Sequence, residues 1–204
     1  MSATGRSAVR RAFDAYTTPR WAVVAFMDAV WERLYAPKTD TNSVFEPCAG
    51  QLEIADVLTH YFTRVVCNDI QAFPPSVVQS PAASRVQLWP PRDFLTIPPP
   101  EVLSDWIITN PPYRQAEQFV RHGMLHAERT AWLLRLNFLG SQKRVPLHAR
   151  FDPDVHVLSK RPSFTYDGRT DATEYAWFVY PGSGRLSVID CTPYFMPPDK
   201  PQVI

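Results

Sequence analysis

Short apolar runs of strand type alternate with segments of helical periodicity along most of this 204-residue chain. Each early run is cut off by a polar or proline-containing turn. Ser43-Val44-Phe45 stops at Glu46-Pro47-Cys48-Ala49-Gly50, and Arg64-Val65-Val66-Cys67 closes on Asn68-Asp69. Trp106-Ile107-Ile108-Thr109 ends abruptly at Asn110-Pro111-Pro112-Tyr113. Between these runs, Leu52, Ile54, Ala55 and Leu58 keep helical spacing, as do Ala116, Phe119, Val120, Gly123 and Ala127. Such alternation predicts an α/β domain with a mostly parallel sheet and helices on both faces. Ligands bind sheets of this kind outside the carboxyl ends of the strands. Four polar endings fall on that rim: 46–50, Asp69, Asp93 and 110–113.

The remaining segments fit the same plan. Thr18-Pro19 marks a helix start, with Thr18 as the expected N-cap and Pro19 in the first turn; Trp21, Val24, Trp31 and Leu34 then supply one buried face. Proline dominates 73–100, which reads as an extended surface loop with only Val86-Gln87-Leu88 resembling a strand. Strand-type runs at 131–136, 155–158, 175–180 and 186–189 make the C-terminal third strand-rich. One domain over 1–204 is expected, with residues 1–13 frayed and 191–204 an irregular tail.

Composition narrows the function classes. A 45% hydrophobic, 20% charged chain builds a core, and disorder is excluded. A net charge of +1 excludes nucleic-acid binding by overall charge, leaving a local basic patch as the route to such a partner. Three scattered cysteines (Cys48, Cys67, Cys191) without Cys-x-x-Cys or His spacing argue against zinc, any other metal, or a disulfide framework. Neither a signal-peptide core nor a bilayer-length apolar run is present, so a cytoplasmic location without membrane contact is expected.

Asn110-Pro111-Pro112-Tyr113 carries the most chemistry. Consecutive prolines stiffen the chain after the strand and keep it out of a ladder. The Asn110 side-chain oxygen and a backbone carbonyl are left as acceptors beside an aromatic ring. Such a turn can hold an exocyclic amino group while a planar base stacks on Tyr113. The amino nitrogen of adenine is a poor nucleophile because its lone pair is delocalised. Two acceptors aimed at its hydrogens favour a pyramidal nitrogen, with alignment and fixed dipoles lowering the barrier.

With these residues in place, the chain resembles the S-adenosylmethionine-dependent adenine-N6 DNA methyltransferases of the small bacteriophage and prophage type. Asp14-Ala15-Tyr16-Thr17-Thr18-Pro19-Arg20-Trp21 resembles their N-terminal cofactor motif, and Phe45-Glu46-Pro47-Cys48-Ala49-Gly50 their first motif. Asn68-Asp69-Ile70, Arg92-Asp93-Phe94-Leu95 and the stretch from Asp105 to Tyr113 match later motifs. So do Leu134-Arg135-Leu136-Asn137-Phe138-Leu139 with Gln142-Lys143-Arg144, Lys160-Arg161-Pro162-Ser163-Phe164 and Tyr175-Ala176-Trp177-Phe178.

The resemblance implies a Rossmann-like class I methyltransferase fold with a mixed, mostly parallel sheet of seven strands. It implies S-adenosylmethionine as cofactor: Tyr16 and Thr18 at its methionine end, the backbone of Glu46, Pro47, Cys48, Ala49 and Gly50 beneath it, and Asp69 on the ribose hydroxyls followed by Ile70. Asp93 and Phe94 would flank its adenine, one by hydrogen bonding and the other by stacking. Asn110, Pro111, Pro112 and Tyr113 would grip the target base, with Asn110 also beside the cofactor. One position departs from the family: Leu52 stands where a second glycine is usual, which bears on the turn under the cofactor.

DNA action implies flipping the target base out of the duplex. Lys143, Arg144 and Arg150, with Lys160 and Arg161, form the expected phosphate-contacting edge. Loops at 140–154 and 162–173 would carry whatever sequence specificity exists, and a second copy of the chain is an open alternative. The competing readings are the same chemistry on RNA adenine or a protein glutamine, and a degenerate S-adenosylmethionine-binding module suggested by Leu52.

Overall fold

The computed structural model describes residues 17–36, 42–99, 104–164 and 172–194. Eight strands form one sheet: β1 (Ser43–Glu46), β2 (Arg64–Cys67), β3 (Gln87–Leu88), β4 (Ser104–Thr109), β5 (Ala127–Arg135), β6 (Asp154–Leu158), β7 (Tyr175–Tyr180) and β8 (Leu186–Ile189). Their order is β3-β2-β1-β4-β5-β7-β6-β8. The first five run parallel, β7 lies antiparallel between β5 and β6, and β8 runs parallel to β6. The sheet is therefore mixed and mostly parallel as expected, with one strand more than the seven foreseen. The additional strand is β8, on the outer edge of β6. Its approach is set by Asp154 Oδ1, which accepts from the backbone N–H groups of Ser183 at 2.8 Å and Arg185 at 2.9 Å. Those bonds carry the chain across the end of β6 and place Leu186 opposite Val155.

Alternate residues of the strands point to opposite faces, so a near-continuous apolar run supplies two cores at once. Val44, Trp106, Ile108, Ala131, Leu133, Trp177 and Val179 pack on one side. There they meet α1 (Arg20–Phe26), which continues through a π-helical turn (Met27–Trp31) into α2 (Glu32–Leu34), and α3 (Glu53–Leu58). Phe26 stacks on Trp177, whose indole N–H donates to the Ala22 carbonyl at 3.1 Å. Phe45, Ile107, Trp132, Leu134 and Phe178 face the other side, against α5 (Ala116–Gly123) and α6 (Val145–Phe151). The α5 contact is so close that a Cβ on Gly123 would lie 2.5 Å from the Trp132 ring.

Two local expectations change. The proline-rich stretch is ordered by the sheet: α4 (Pro75–Val78) opens with proline in its first turn, a 3-10 turn precedes β3, and β3 pairs with β2. It is not a plain surface loop, because Val77 and Ile97 are buried in the two cores. Thr18 does not cap α1. Pro19 occupies the N-cap position without a side-chain cap bond, and the buried Thr18 hydroxyl is used elsewhere.

Candidate active site

The carboxyl ends of β1, β2 and β4 meet on one rim. The turn after β1 is tied to β2: Ala49 N–H donates to the Asn68 carbonyl at 2.9 Å, and Gly50 N–H donates to Asp69 Oδ2 at 2.9 Å. Gly50 has φ of 48°, and a Cβ there would meet nothing within 4 Å. The turn thus presents bare backbone to open space, in a conformation that glycine adopts freely. Leu52 follows with φ of 68° and ψ of 20°, the left-handed geometry that a glycine would supply, and its side chain is buried at 1% exposure. The turn keeps its shape with leucine in it.

Asp69 is half-buried, and its other oxygen accepts from Gln71 N–H at 3.0 Å. Ile70 beside it is an exposed apolar residue. Asp93 accepts from Leu95 N–H at 3.0 Å and so caps a 3-10 turn. Phe94, expected to stack on a ligand's adenine, is a correction: it is 2% exposed and surrounded by Phe45, Phe119, His122 and His126. That ring is committed to the core. Pro47 and Cys48 lie in the turn after β1, and Tyr16 falls outside the described residues.

Glu46 ends β1 fully buried, with Oε2 lacking a hydrogen-bond partner. Desolvation, reinforced by the carboxylates of Glu53 and Asp69, pushes its carboxyl well above the usual range. Burial likewise pushes the Cys48 thiol up, so it is no thiolate nucleophile.

The 110–113 turn is held from the N-terminal side. Asn110 Nδ2 donates to Thr18 Oγ1 at 3.0 Å, and this contact is what occupies the expected capping residue. The bond fixes the amide so that Asn110 Oδ1 is buried with no hydrogen-bond partner. Pro111 is buried and Pro112 half-buried. Tyr113 packs against Phe164 and Tyr175, with ring centroids 6.3 Å and 5.7 Å away. Burial pushes its phenol well above the ordinary range, with Tyr175 beside it adding to the effect, so it stays neutral.

The expected basic edge divides. Lys143 and Arg150 are exposed, Arg150 lying over the Phe151 ring. Arg144 turns inward, which corrects its assignment as a phosphate contact: its guanidinium donates to the carbonyls of Phe138 at 2.6 Å and Asn137 at 3.3 Å and covers the Phe138 ring. Arg161 pairs with Glu174 at 3.2 Å, and Lys160 is half-buried. Among the described residues no group of three His, Cys, Asp or Glu side chains could hold a metal ion, and no helix is long and apolar enough to cross a membrane.

Two residues inside the motif runs take roles that were not assigned to them there. Asn68, fully buried, donates to the carbonyls of Arg92 at 2.9 Å and Pro47 at 3.4 Å, joining the β1 turn to the loop before Asp93. Arg135, at the end of β5, lies over Tyr113. Neither residue type nor spacing in the sequence marks these roles.

No protein-family model matches the sequence, and no curated protein does. Solved structures do resemble the fold. A protein of Pyrococcus horikoshii described as a proposed RNA methyltransferase superposes with a TM-score of 0.63 at 10% identity, over 87% of this chain and 90% of that one. The fold is that of the class I methyltransferases. A Listeria monocytogenes protein described as a proposed class I S-adenosylmethionine-dependent methyltransferase gives a TM-score of 0.61 at 11% identity, covering 93% and 69% of the two chains. A type I restriction-modification methyltransferase subunit from Streptococcus thermophilus gives 0.57 at 14% identity, covering 81% of this chain and 44% of that subunit. Relative to the seven strands expected of the class I methyltransferase fold, β8 is the addition, and the β1, β2 and β4 endings share one rim.

Proposed function

We propose that this chain transfers a methyl group from S-adenosylmethionine to the N6 amino group of adenine in DNA. The observation that carries the reading is the Asn110 amide: its nitrogen is engaged by Thr18, while its oxygen is buried and without a partner at the end of β4. A buried acceptor left open costs free energy, and an amino donor next to Tyr113 would meet it.

The residues present suit the cofactor. Gly50 leaves open space over a bare turn, Asp69 keeps lone pairs beyond its two backbone donors, and Ile70 is an exposed apolar neighbour. Glu46 lies buried and close to Asp69 on the same rim. When bound, S-adenosylmethionine supplies an electrophilic methyl group. The chain's own part is to place the acceptor. Asn110 Oδ1 and a backbone carbonyl of the turn take hydrogen bonds from the amino group, which draws its lone pair out of conjugation. Tyr113 supplies the stacking surface, and Pro111 and Pro112 keep the turn rigid. The solved structures that share the fold include a restriction-modification methyltransferase subunit and methyltransferases named as acting on RNA, so the choice of DNA rests on the motif resemblance.

Tritiated-methyl transfer to DNA, RNA and protein tests the reading. Asn110→Ala is expected to lower transfer to DNA by about a hundredfold or more, the scale of losing one preorganised polar contact in a closed site. Cofactor binding should change little. Tyr113→Phe should retain most activity because the ring supplies the stacking face, whereas Tyr113→Ala should lose it with the ring. Near-parental methylation by Asn110→Ala overturns the mechanism, and incorporation into RNA or protein alone overturns the polymer.

A further inference from the structure

Arg135 is the last residue of β5, and its side chain reaches across the rim to the acceptor turn. Its guanidinium carbon stands 5.1 Å from the Tyr113 ring centroid, and its Nε donates to Tyr175 Oη at 3.2 Å. The aromatic neighbours meet the Tyr113 ring at an angle. Phe164 meets Tyr113 at an interplanar angle of 70° and Tyr175 at 49°, so neither stacks on it. A base stacked on a tyrosine puts its centroid about 4.5–7 Å from the ring. That is the space the Arg135 guanidinium fills, so both cannot occupy the same face.

We propose that Arg135 reads the charge of the acceptor: it yields the Tyr113 face to the target base and pairs with a phosphate attached to that base's sugar. The inference rests on the reading of 110–113 as the acceptor turn and deepens it by naming Arg135 as the residue that distinguishes a phosphate-bearing acceptor from a neutral one. Guanidinium chemistry leads there. Arginine stays charged at all physiological pH, and its planar fork stacks on rings and pairs bidentately with phosphate. A displaced guanidinium at an exposed strand end therefore exchanges one of its two favoured partners for the other. A flipped nucleotide brings both halves of that exchange together, ring and phosphate on one sugar. A protein glutamine brings neither a stacking ring nor an anion, so the same arginine selects against it.

The test uses the full chain saturated with S-adenosylhomocysteine, and calorimetric titration with 2′-deoxyadenosine and with its 5′- and 3′-monophosphates. The parental protein is expected to bind one of the monophosphates about tenfold or more tighter than the nucleoside, the scale of a hydrogen bond to a charged group. Arg135→Met should abolish that preference by weakening the nucleotide, with nucleoside affinity equal or higher because the ring face is cleared. Arg135→Lys, which keeps the charge and loses the fork, should retain part of the preference and guards against misfolding of the methionine variant. An undiminished preference in Arg135→Met overturns the proposal. Parallel weakening of nucleoside and nucleotide also overturns it, since Arg135 would then merely support Tyr113. If no nucleoside or nucleotide binds the parental protein while S-adenosylhomocysteine does, the acceptor reading itself falls.

Discussion

Leu52 holds a left-handed backbone conformation that costs an L-residue with a side chain about 1–2 kcal/mol. It persists because the side chain is buried among the α3 core residues, a gain of about 1.5–3 kcal/mol. The two terms have similar size, so a residue that breaks the glycine rule can still close the turn. They also reverse the usual ranking of small substitutions. Leu52→Ala loses the burial and keeps the strain, and should lower the unfolding free energy by about 3 kcal/mol. Leu52→Gly loses the same burial and releases the strain, so it should be about 1 kcal/mol more stable than the alanine variant. Urea unfolding of both variants measures this; an alanine variant above the glycine one would mean that the backbone is not strained. The departure at Leu52 was legible in the sequence as an anomaly, but its solution was not, because burial of one side chain depends on where α3 docks. Thr18 shows the same limit. Local rules assign it to helix capping, while the fold spends its hydroxyl on Asn110, 92 positions away in the sequence.

At the scale of elements, β6, β8 and the end of α2 share a polar cluster away from the 110–113 turn. Tyr35 Oη donates to Asp154 Oδ2 at 2.6 Å and lies 2.9 Å from His156 Nε2, while His156 Nδ1 lies 2.7 Å from Ser187 Oγ. Arg185 approaches Asp154 at 3.7 Å. The fully buried His156 is thereby bridged between strands, and desolvation lowers its pKa from 6.5 to about 4. The sign follows from linkage. The unfolded chain takes up this proton below about pH 6.5 and the folded chain only near pH 4, so His156 removes stability as pH falls through that window. Glu46, with its raised pKa, acts in the opposite direction from about pH 4.5 upward. The difference between parental protein and His156→Gln, followed as melting temperature against pH, isolates the histidine. It should shrink or reverse in the variant's favour between pH 6.5 and 4, and a constant difference would refute the linkage. None of this cluster was foreseen. Strand runs at 155–158 and 186–189 were readable from their apolar residues, but which strands become neighbours is decided by the crossover after β7, and a lone buried histidine has no local signature. The early strand endings were readable for the converse reason: in a parallel sheet their carboxyl ends share one rim whatever the details of packing.

For the whole molecule, a net charge of +1 means that attraction to a polyanion must come from placement. The sequence offered a run of adjacent cations, and the fold separates them by role. Arg144 secures the turn after β5 through two backbone carbonyls, so its charge is spent on holding residues 137 and 138 in place. Lys143, its neighbour, is exposed on the same 3-10 turn. Counterion release makes the distinction measurable, because each phosphate contact contributes about 0.9 to the slope of log affinity against log salt for duplex DNA. Lys143→Gln should therefore flatten that slope by about one while leaving thermal stability unchanged. Arg144→Gln should instead lower the melting temperature, since it removes the guanidinium that ties the Phe138 and Asn137 carbonyls together, and should take little from the slope once Lys143 is gone. A double variant whose slope falls by two with unaltered stability would return Arg144 to the phosphate-contacting edge. A slope untouched by Lys143→Gln would move the polyanion to another surface and leave Arg135, beside the 110–113 turn, as the cation to measure next.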